Sequence, residues 1–305
     1  MAERFLIARL SALGDTVCCL PAAAALKRTF PECHITWAVD GRFAPVVECC
    51  GAVDEVVRVS KPLLDHREPY DAAFDLQGLL KSALCIAKAK ATQKLGYHWQ
   101  REGSALFSRR VIPDPSSFHI VDQYVDVVRA AGAQMDRADF MLKPKEEDVL
   151  SVRRKLKEKQ VFGRFVVMNA GAGWETKRWP AASFARLIDA SDLPVVLIGG
   201  RSDADHRAAE EVADHCRQKP TSLIGETSIG ELIALIRLCS AHVGGDTGST
   251  HLAAAMEIPA IGLYSITRPK RSCPYGQIDR CHYHPHSLAG ISPDLVLTSL
   301  NEAVQ

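Results

Sequence analysis

Short apolar runs alternate with helical patterns along the whole chain. In the first half RFLIARL, CHITWAV, DEVVRV and YDAAFDL read as strands, whereas DTVCCLPAAAALKRTF, RFAPVVECC and LLKSALCIAKAK read as helices. The second half repeats the design, with RFVVMNA, LPVVLIGG, TSLIG, AHVGG and PAIGLYS as strands. Between them AASFARLIDAS, DADHRAAEEVADHC, IGELIALIRLC and TGSTHLAAAM read as helices. Such alternation predicts parallel βαβ units, and strands that are apolar throughout predict sheets covered on both faces. Two doubly wound α/β domains follow, expected over residues 1–155 and 156–305, with the charged stretch KPKEEDVLSVRRKLKEKQ at their junction. Ligands in open α/β sheets sit beyond the carboxyl ends of the strands, so the active site is expected in a cleft that the two domains face.

Composition agrees with two domains: 305 residues, 47% hydrophobic, exceed what one core usually organises. Charge is balanced, 37 Lys and Arg against 36 Asp and Glu, so no global field draws the chain to nucleic acid or a membrane. The longest apolar run, VCCLPAAAAL, contains Pro21 and falls short of a membrane span. Arg9 and Asp15 interrupt the apolar start, which argues against a leader, and a cytoplasmic location is expected. The ten cysteines include adjacent pairs and no C-x-x-C, the pattern of reduced, mostly buried thiols. In CHYHPH, Cys281 to His286, alternate histidines share one face of an extended segment, but zinc spacings are not met and no metal is expected.

Two strand-to-helix turns carry the same tripeptide, Gly14-Asp15-Thr16 and Gly245-Asp246-Thr247. At the later one the amides of Thr247, Gly248 and Ser249, with the hydroxyls of Thr247 and Ser249, can hold a diphosphate. Asp246 can then accept hydrogen bonds from sugar hydroxyls, or simply cap the helix. The loop NAGAGWETKRWP offers Lys177 to neutralise a leaving diphosphate without a metal, its alternative being a solvated charge. Neither G-A-G nor SALGD is the dinucleotide fingerprint, so a nicotinamide cofactor is not expected. Asp15 can act as general base, a role worth about 10²–10⁴-fold in rate. The helix start favours its charged form and so calls for late proton transfer; a plain cap is the alternative. Asp203-Ala204-Asp205 fits D-x-D, readable as a cation site, as helix-start acids, or as one carboxylate on a ribose. Between Leu76 and Arg110 seven basic residues face one acid, the bias suited to an anionic acceptor or to a solvated helix face covering Lys88 and Lys90.

These residues jointly resemble the family 9 glycosyltransferases, the heptosyltransferases of lipopolysaccharide core assembly. The likeness runs almost end to end through RLSALGDTVCCLPAAAALKRTFP, FDLQGLLKSAL, HWQREGSALFSRR, NAGAGWETKRWP and GGDTGSTHLAAAMEIPAIGLY. FDLQGLLKSA and HWQREG look closest to the enzyme that adds the first heptose. The resemblance implies a GT-B architecture, two Rossmann-like domains facing an interdomain cleft, with a last helix that crosses back to the first domain. It also implies inverting, metal-independent and cofactor-free transfer from ADP-heptose to a 3-deoxy-manno-octulosonic acid (Kdo) residue on lipid A. By motif, Asp15 would be the base and Lys177 the diphosphate partner. Gly14, Thr176, Asp246, Thr247, Gly248 and His251 would serve the donor, with Asp203 and Asp205 competing for its ribose. Gln77, Lys81 and Arg101 would meet the acidic acceptor. Gly171-Ala172-Gly173 departs from the hydroxyl residues frequent in related sequences. The readings that compete are a later heptose or another cell-surface acceptor, a sugar-nucleotide epimerase on the same fold, and a silent nucleotide-binding module. A transient contact with the inner face of the inner membrane accompanies the first reading; nucleic acid accompanies none.

Overall fold

A computed structural model of the chain describes residues 2–60, 64, 68–171 and 178–305. It divides into two compact units, Met1–Lys143 and Pro144–Gln305.

The first unit has strands β1 (Arg4–Ala8), β2 (His34–Val39), β3 (Glu55–Arg58), β4 (Tyr70–Asp75), β5 (Ala91–Gly96) and β6 (Arg109–Arg110). They form one sheet in the order β3-β2-β1-β4-β5-β6, every pair parallel. Helices α1 (Leu13–Thr29), α2 (Ala44–Glu48), α3 (Leu80–Ala87) and α4 (Ile120–Arg129) cover it. Helix α1 is buried without a break from Thr16 to Leu26, which is why its sequence is apolar all round rather than striped. Its neighbour α4 supplies Tyr124, also fully buried. Helix α3 ends at Ala87, short of the expected Lys88 and Lys90, and Lys94 Nζ donates to the terminal Ala87 carbonyl at 2.7 Å. The next residues, ATQKLG, form β5. This strand lies next to the sheet edge with Thr92 and Gln93 exposed, so it lacks the apolar run that marks its neighbours.

The second unit opens with helix α5 (Glu146–Glu158), followed by β7 (Val166–Asn169), α6 (Ala181–Asp189), β8 (Val195–Ile198), α7 (Asp203–His215) and β9 (Thr221–Ser222). Then come α8 (Ile229–Leu238), β10 (Ala241–Gly245), α9 (Gly248–Ala255), β11 (Ala260–Tyr264), α10 (Pro269–Ser272), β12 (Cys281–Tyr283) and α11 (Pro293–Val304). The sheet order β12-β11-β10-β7-β8-β9 is the first unit's pattern again. The charged stretch expected to join the domains is mostly α5, which belongs to this unit. Ser151 Oγ and Lys155 Nζ both lie 2.7 Å from Glu231 Oε1 on α8. Burial alone would raise the Glu231 carboxyl, but Lys155, the Ser228 amide and Ser151 outweigh it and hold the group down at about 2. The division between the units therefore falls at Lys143/Pro144, ahead of the expected 155/156. Val296 and Leu300 of the last helix sit in the second unit's core beside Phe184 and Val243.

Candidate active site

Each sheet reverses its winding once, between β1 and β4 in the first unit and between β7 and β10 in the second. The crevice beyond the strands at such a reversal is where open α/β sheets hold ligands. The turns leaving these strands carry most of the residues singled out above.

In the first unit β1 runs through Arg9 into α1. Arg9 is buried; its Nη1 donates to Leu76 O at 2.8 Å and to Tyr124 Oη at 3.0 Å, and its Nη2 lies 2.5 Å from Asp15 Oδ2. Asp15 occupies the first turn of α1 just after Gly14, its side chain 45% exposed. A guanidinium locked in the core thus fixes a carboxylate that stays open to solvent. The motif reading passed over Arg9, although a charge directly after an apolar strand was its signal.

Gln77 serves this turn, its Oε1 accepting from Leu10 N at 2.8 Å and Ser11 N at 3.3 Å. Asp75, fully buried, accepts from the amides of Gln77 and Gly78, and burial pushes its carboxyl above the usual range. Lys81 is exposed on α3. Arg101 is also exposed, its guanidinium 5.9 Å from the centre of the Trp99 ring.

In the second unit a cavity of about 280 Å³ is lined by Asn169, Gly171, Arg178, Gly200, Asp205 and Thr247, among others. Asp205 and Asp203, which compete in the sequence, part here: Asp205 lines the cavity, while Asp203 is exposed and outside it. Ser202 caps α7 by accepting from Asp205 N at 3.2 Å and donates to Asp205 Oδ2 at 2.6 Å. Glycines crowd that carboxylate. A Cβ on Gly171 would lie 2.3 Å from Asp205 Oδ1, and one on Gly200 would lie 3.0 Å from Oδ2. The hydroxyl-free GAG departure therefore begins with a residue whose missing side chain makes room for Asp205.

Arg178 brings positive charge to the cavity, and its buried Nε has no hydrogen-bond partner among the described residues. Trp179 anchors the chain beside it, buried against Phe184 with its Nε1 donating to Ile291 O at 3.1 Å. Thr176 and Lys177 lie outside the described residues.

The β10–α9 turn is held from behind by polar groups. Asn169 Nδ2 donates to Ser249 Oγ at 3.0 Å and lies 3.5 Å from Thr247 Oγ1, which is 3.0 Å from Ser249 Oγ and 3.2 Å from Thr250 Oγ1. Thr250 Oγ1 donates to Gly245 O at 2.7 Å. His242, fully buried on β10, sits 3.0 Å from Ser249 Oγ through Nε2. Burial, and secondarily the nearby His251, lower its pKa to about 3, so this ring is neutral. The Ser249 hydroxyl, expected at a diphosphate, is 3% exposed and turned inward instead, because His242 and Asn169 claim it. Thr247 is the hydroxyl residue of this turn that lines the cavity, at the half-buried start of α9 with Gly248. Asp246 pairs with His251 Nε2 at 3.4 Å.

Among the described residues no group of three or more His, Cys, Asp or Glu side chains is arranged to hold a metal. In the Cys281–His286 segment, His282 Nε2 is bonded to Ser299 Oγ at 3.0 Å, and the His284 and His286 rings meet edge to face. No helix among the described residues is long and apolar enough to cross a membrane.

The family model for glycosyltransferase family 9 (heptosyltransferase) matches residues 57–290. Lipopolysaccharide heptosyltransferase 1 of Salmonella typhimurium is 27% identical over an alignment covering 98% of this chain and 97% of the relative. Among solved structures, a family 9 glycosyl transferase from Veillonella parvula superposes with TM-score 0.87 at 19% identity, covering 99% of this chain and 97% of its own. The ADP-heptose lps heptosyltransferase II of E. coli gives 0.81 at 23% identity, with 99% and 98% covered. These superpositions establish the GT-B fold.

Proposed function

Because the chain belongs to glycosyltransferase family 9, we propose that it moves heptose from ADP-heptose to a Kdo residue of lipid A, with inversion and without a metal. The observation that carries the donor half is the second unit's cavity at the strand reversal, where a carboxylate, an arginine and a helix-start threonine meet. Asp205 accepts from the ribose hydroxyls, as an acceptor-only group suits a diol. The α9 start and Thr247 take the diphosphate, helped by Arg178 and by Lys177 from the neighbouring loop. Asp246, steadied by His251, orients the heptose.

The acceptor hydroxyl oxygen attacks the anomeric carbon as the bond to ADP breaks, and ADP leaves as an anion. Asp15 takes the hydroxyl proton. Arg9 holds that carboxylate in place, and the proton moves late, once the acceptor oxygen has become acidic through bonding. Lys81 and Arg101 meet the anionic acceptor. Gln77 contributes by holding the turn that carries Asp15. The enzyme works in the cytoplasm, meeting its lipid-linked acceptor at the inner face of the inner membrane.

Incubation with ADP-heptose and a deacylated, Kdo-bearing lipid A, read by mass spectrometry with and without chelator, tests this reading. A heptosylated product is expected in both samples. Conversion of the donor in the absence of any acceptor would favour an epimerase, and loss of product with chelator would return Asp203 and Asp205 to a cation.

A further inference from the structure

Residues 99–118 of the first unit bury Val111 and three serines but leave their other large apolar side chains mostly outside. Ser104, Ser108 and Ser117 are buried, whereas Leu106 is 86% exposed, Ile112 72%, Phe118 55% and Trp99 54%. A single exposed apolar side chain needs no explanation, but several along one stretch that also buries its serines mark a contact surface.

The stretch is framed from within. Arg101 N and Ser104 Oγ both donate to Gly78 O, at 2.8 and 2.9 Å. Gln100 Nε2 donates to Ser108 Oγ at 2.8 Å, Val111 N to Gly96 O at 2.9 Å, and Gln123 Nε2 to Ser117 O at 3.0 Å. Gly78 has φ +71, and a Cβ there would lie 2.5 Å from Trp99 O, so the frame needs glycine at this point. These bonds fix the backbone on either side of Leu106 and Ile112, whose side chains lie outside.

The surrounding charge favours one kind of partner. Lys81, Arg101, Arg109 and Arg110 are all exposed. Arg109 and Arg110 are consecutive on the edge strand β6 and so flank both of its faces. The stretch's two acids are engaged locally, Glu102 with Leu80 N and Asp114 with Ser116. Apolar tips bordered by long cationic side chains match an anionic lipid surface, with the tips at the acyl boundary and the cations at phosphate level. A second copy docked here by a twofold axis would bring the same cationic margin to both sides of the contact.

We propose that residues 99–118, with Leu80 beside them, form a docking surface for an anionic lipid bilayer. The assignment deepens the lipid-linked acceptor reading, but vesicle binding requires neither donor nor acceptor and is measured separately.

Co-sedimentation of the full chain with phosphatidylcholine vesicles, with or without phosphatidylglycerol, provides the test. Binding is expected on the phosphatidylglycerol vesicles and should weaken as salt rises. The pair L106S and I112S should weaken it on the order of tenfold or more, and R109E with R110E should do the same. Because these side chains are exposed, the variants should keep the parent's melting midpoint. The L106S and I112S pair should also transfer to a deacylated acceptor at the parent's rate, which separates loss of docking from failure of the transferase reading. The proposal is overturned if the parent ignores both vesicles or if the serine pair binds like the parent. It is equally overturned if those substitutions change only the sedimentation of the free protein, which would assign the patch to self-association.

Discussion

Asp203 and Asp205 share the first turn of α7, two positions apart, yet differ in what surrounds them. Only Asp205 lines the cavity, fixed by Ser202 and crowded by glycines. Asp205→Ala should weaken ADP binding about 10- to 100-fold, the worth of hydrogen bonds to a charged group, whereas Asp203→Ala should stay within about twofold. Isothermal titration with ADP reads both. D-x-D proposes two candidates from spacing alone; the cavity and the approach of Gly171 separate them, and Gly171 comes from a different segment of the chain. His242 is another residue whose surroundings, not its identity, define it. It stays neutral in the fold, at about 3, while an unfolded histidine takes up a proton near 6.5. The unfolded state therefore binds more protons across that interval, and stability falls as pH drops from about 6.5 toward 3. His242→Gln keeps a donor toward Ser249 without titrating. It should flatten the urea-unfolding profile in that window by about 1 kcal/mol per pH unit; equal slopes for parent and variant would contradict the assignment.

At the scale of elements, the two Gly-Asp-Thr turns are not equivalent. One follows β1, the first strand of its sheet, and the other follows β10, on the far side of the second sheet's reversal. The turn that matches β1–α1 by position is the loop between β7 and α6, whose sequence includes Thr176, Lys177 and Arg178. Both turns could be found in the sequence because a strand, a glycine and a helix start are local signals. Strand β5 was hidden, since an element near the sheet edge keeps polar residues where central strands cannot. Gln77 was likewise invisible as a support, and the charge of Arg9 after an apolar strand did not name its partners, because Leu76, Tyr124 and Leu10 lie 67 or more residues from the side chains they meet. The β7–α6 loop also offers a steric test. Gly171→Ala would force Asp205 aside, its Cβ falling 2.3 Å from Oδ1. ADP affinity should drop about tenfold while the melting midpoint stays close to the parent's, because the obstacle is a side chain with solvent beside it.

At the scale of the molecule, the chain builds one strand order twice and equips the copies differently. The first copy couples a carboxylate to a buried arginine and displays an exposed basic and apolar margin. The second surrounds a cavity with a carboxylate, an arginine and a hydroxyl. Such a division suits transfer between two substrates of different character, one a nucleotide and one an anionic lipid. The repeated βαβ pattern announced both copies, and the division at Lys143/Pro144 falls at the start of the charged stretch expected at their junction, the rest of which is α5, burying Val152 and Leu156. The central claim is that the first copy supplies the base and the second the donor site. Asp15→Ala, assayed for heptose transfer and titrated with ADP on the same sample, addresses it most directly. Transfer should fall about 10²–10⁴-fold with ADP affinity unchanged; near-parental transfer, or an equal loss in ADP binding, would contradict the account.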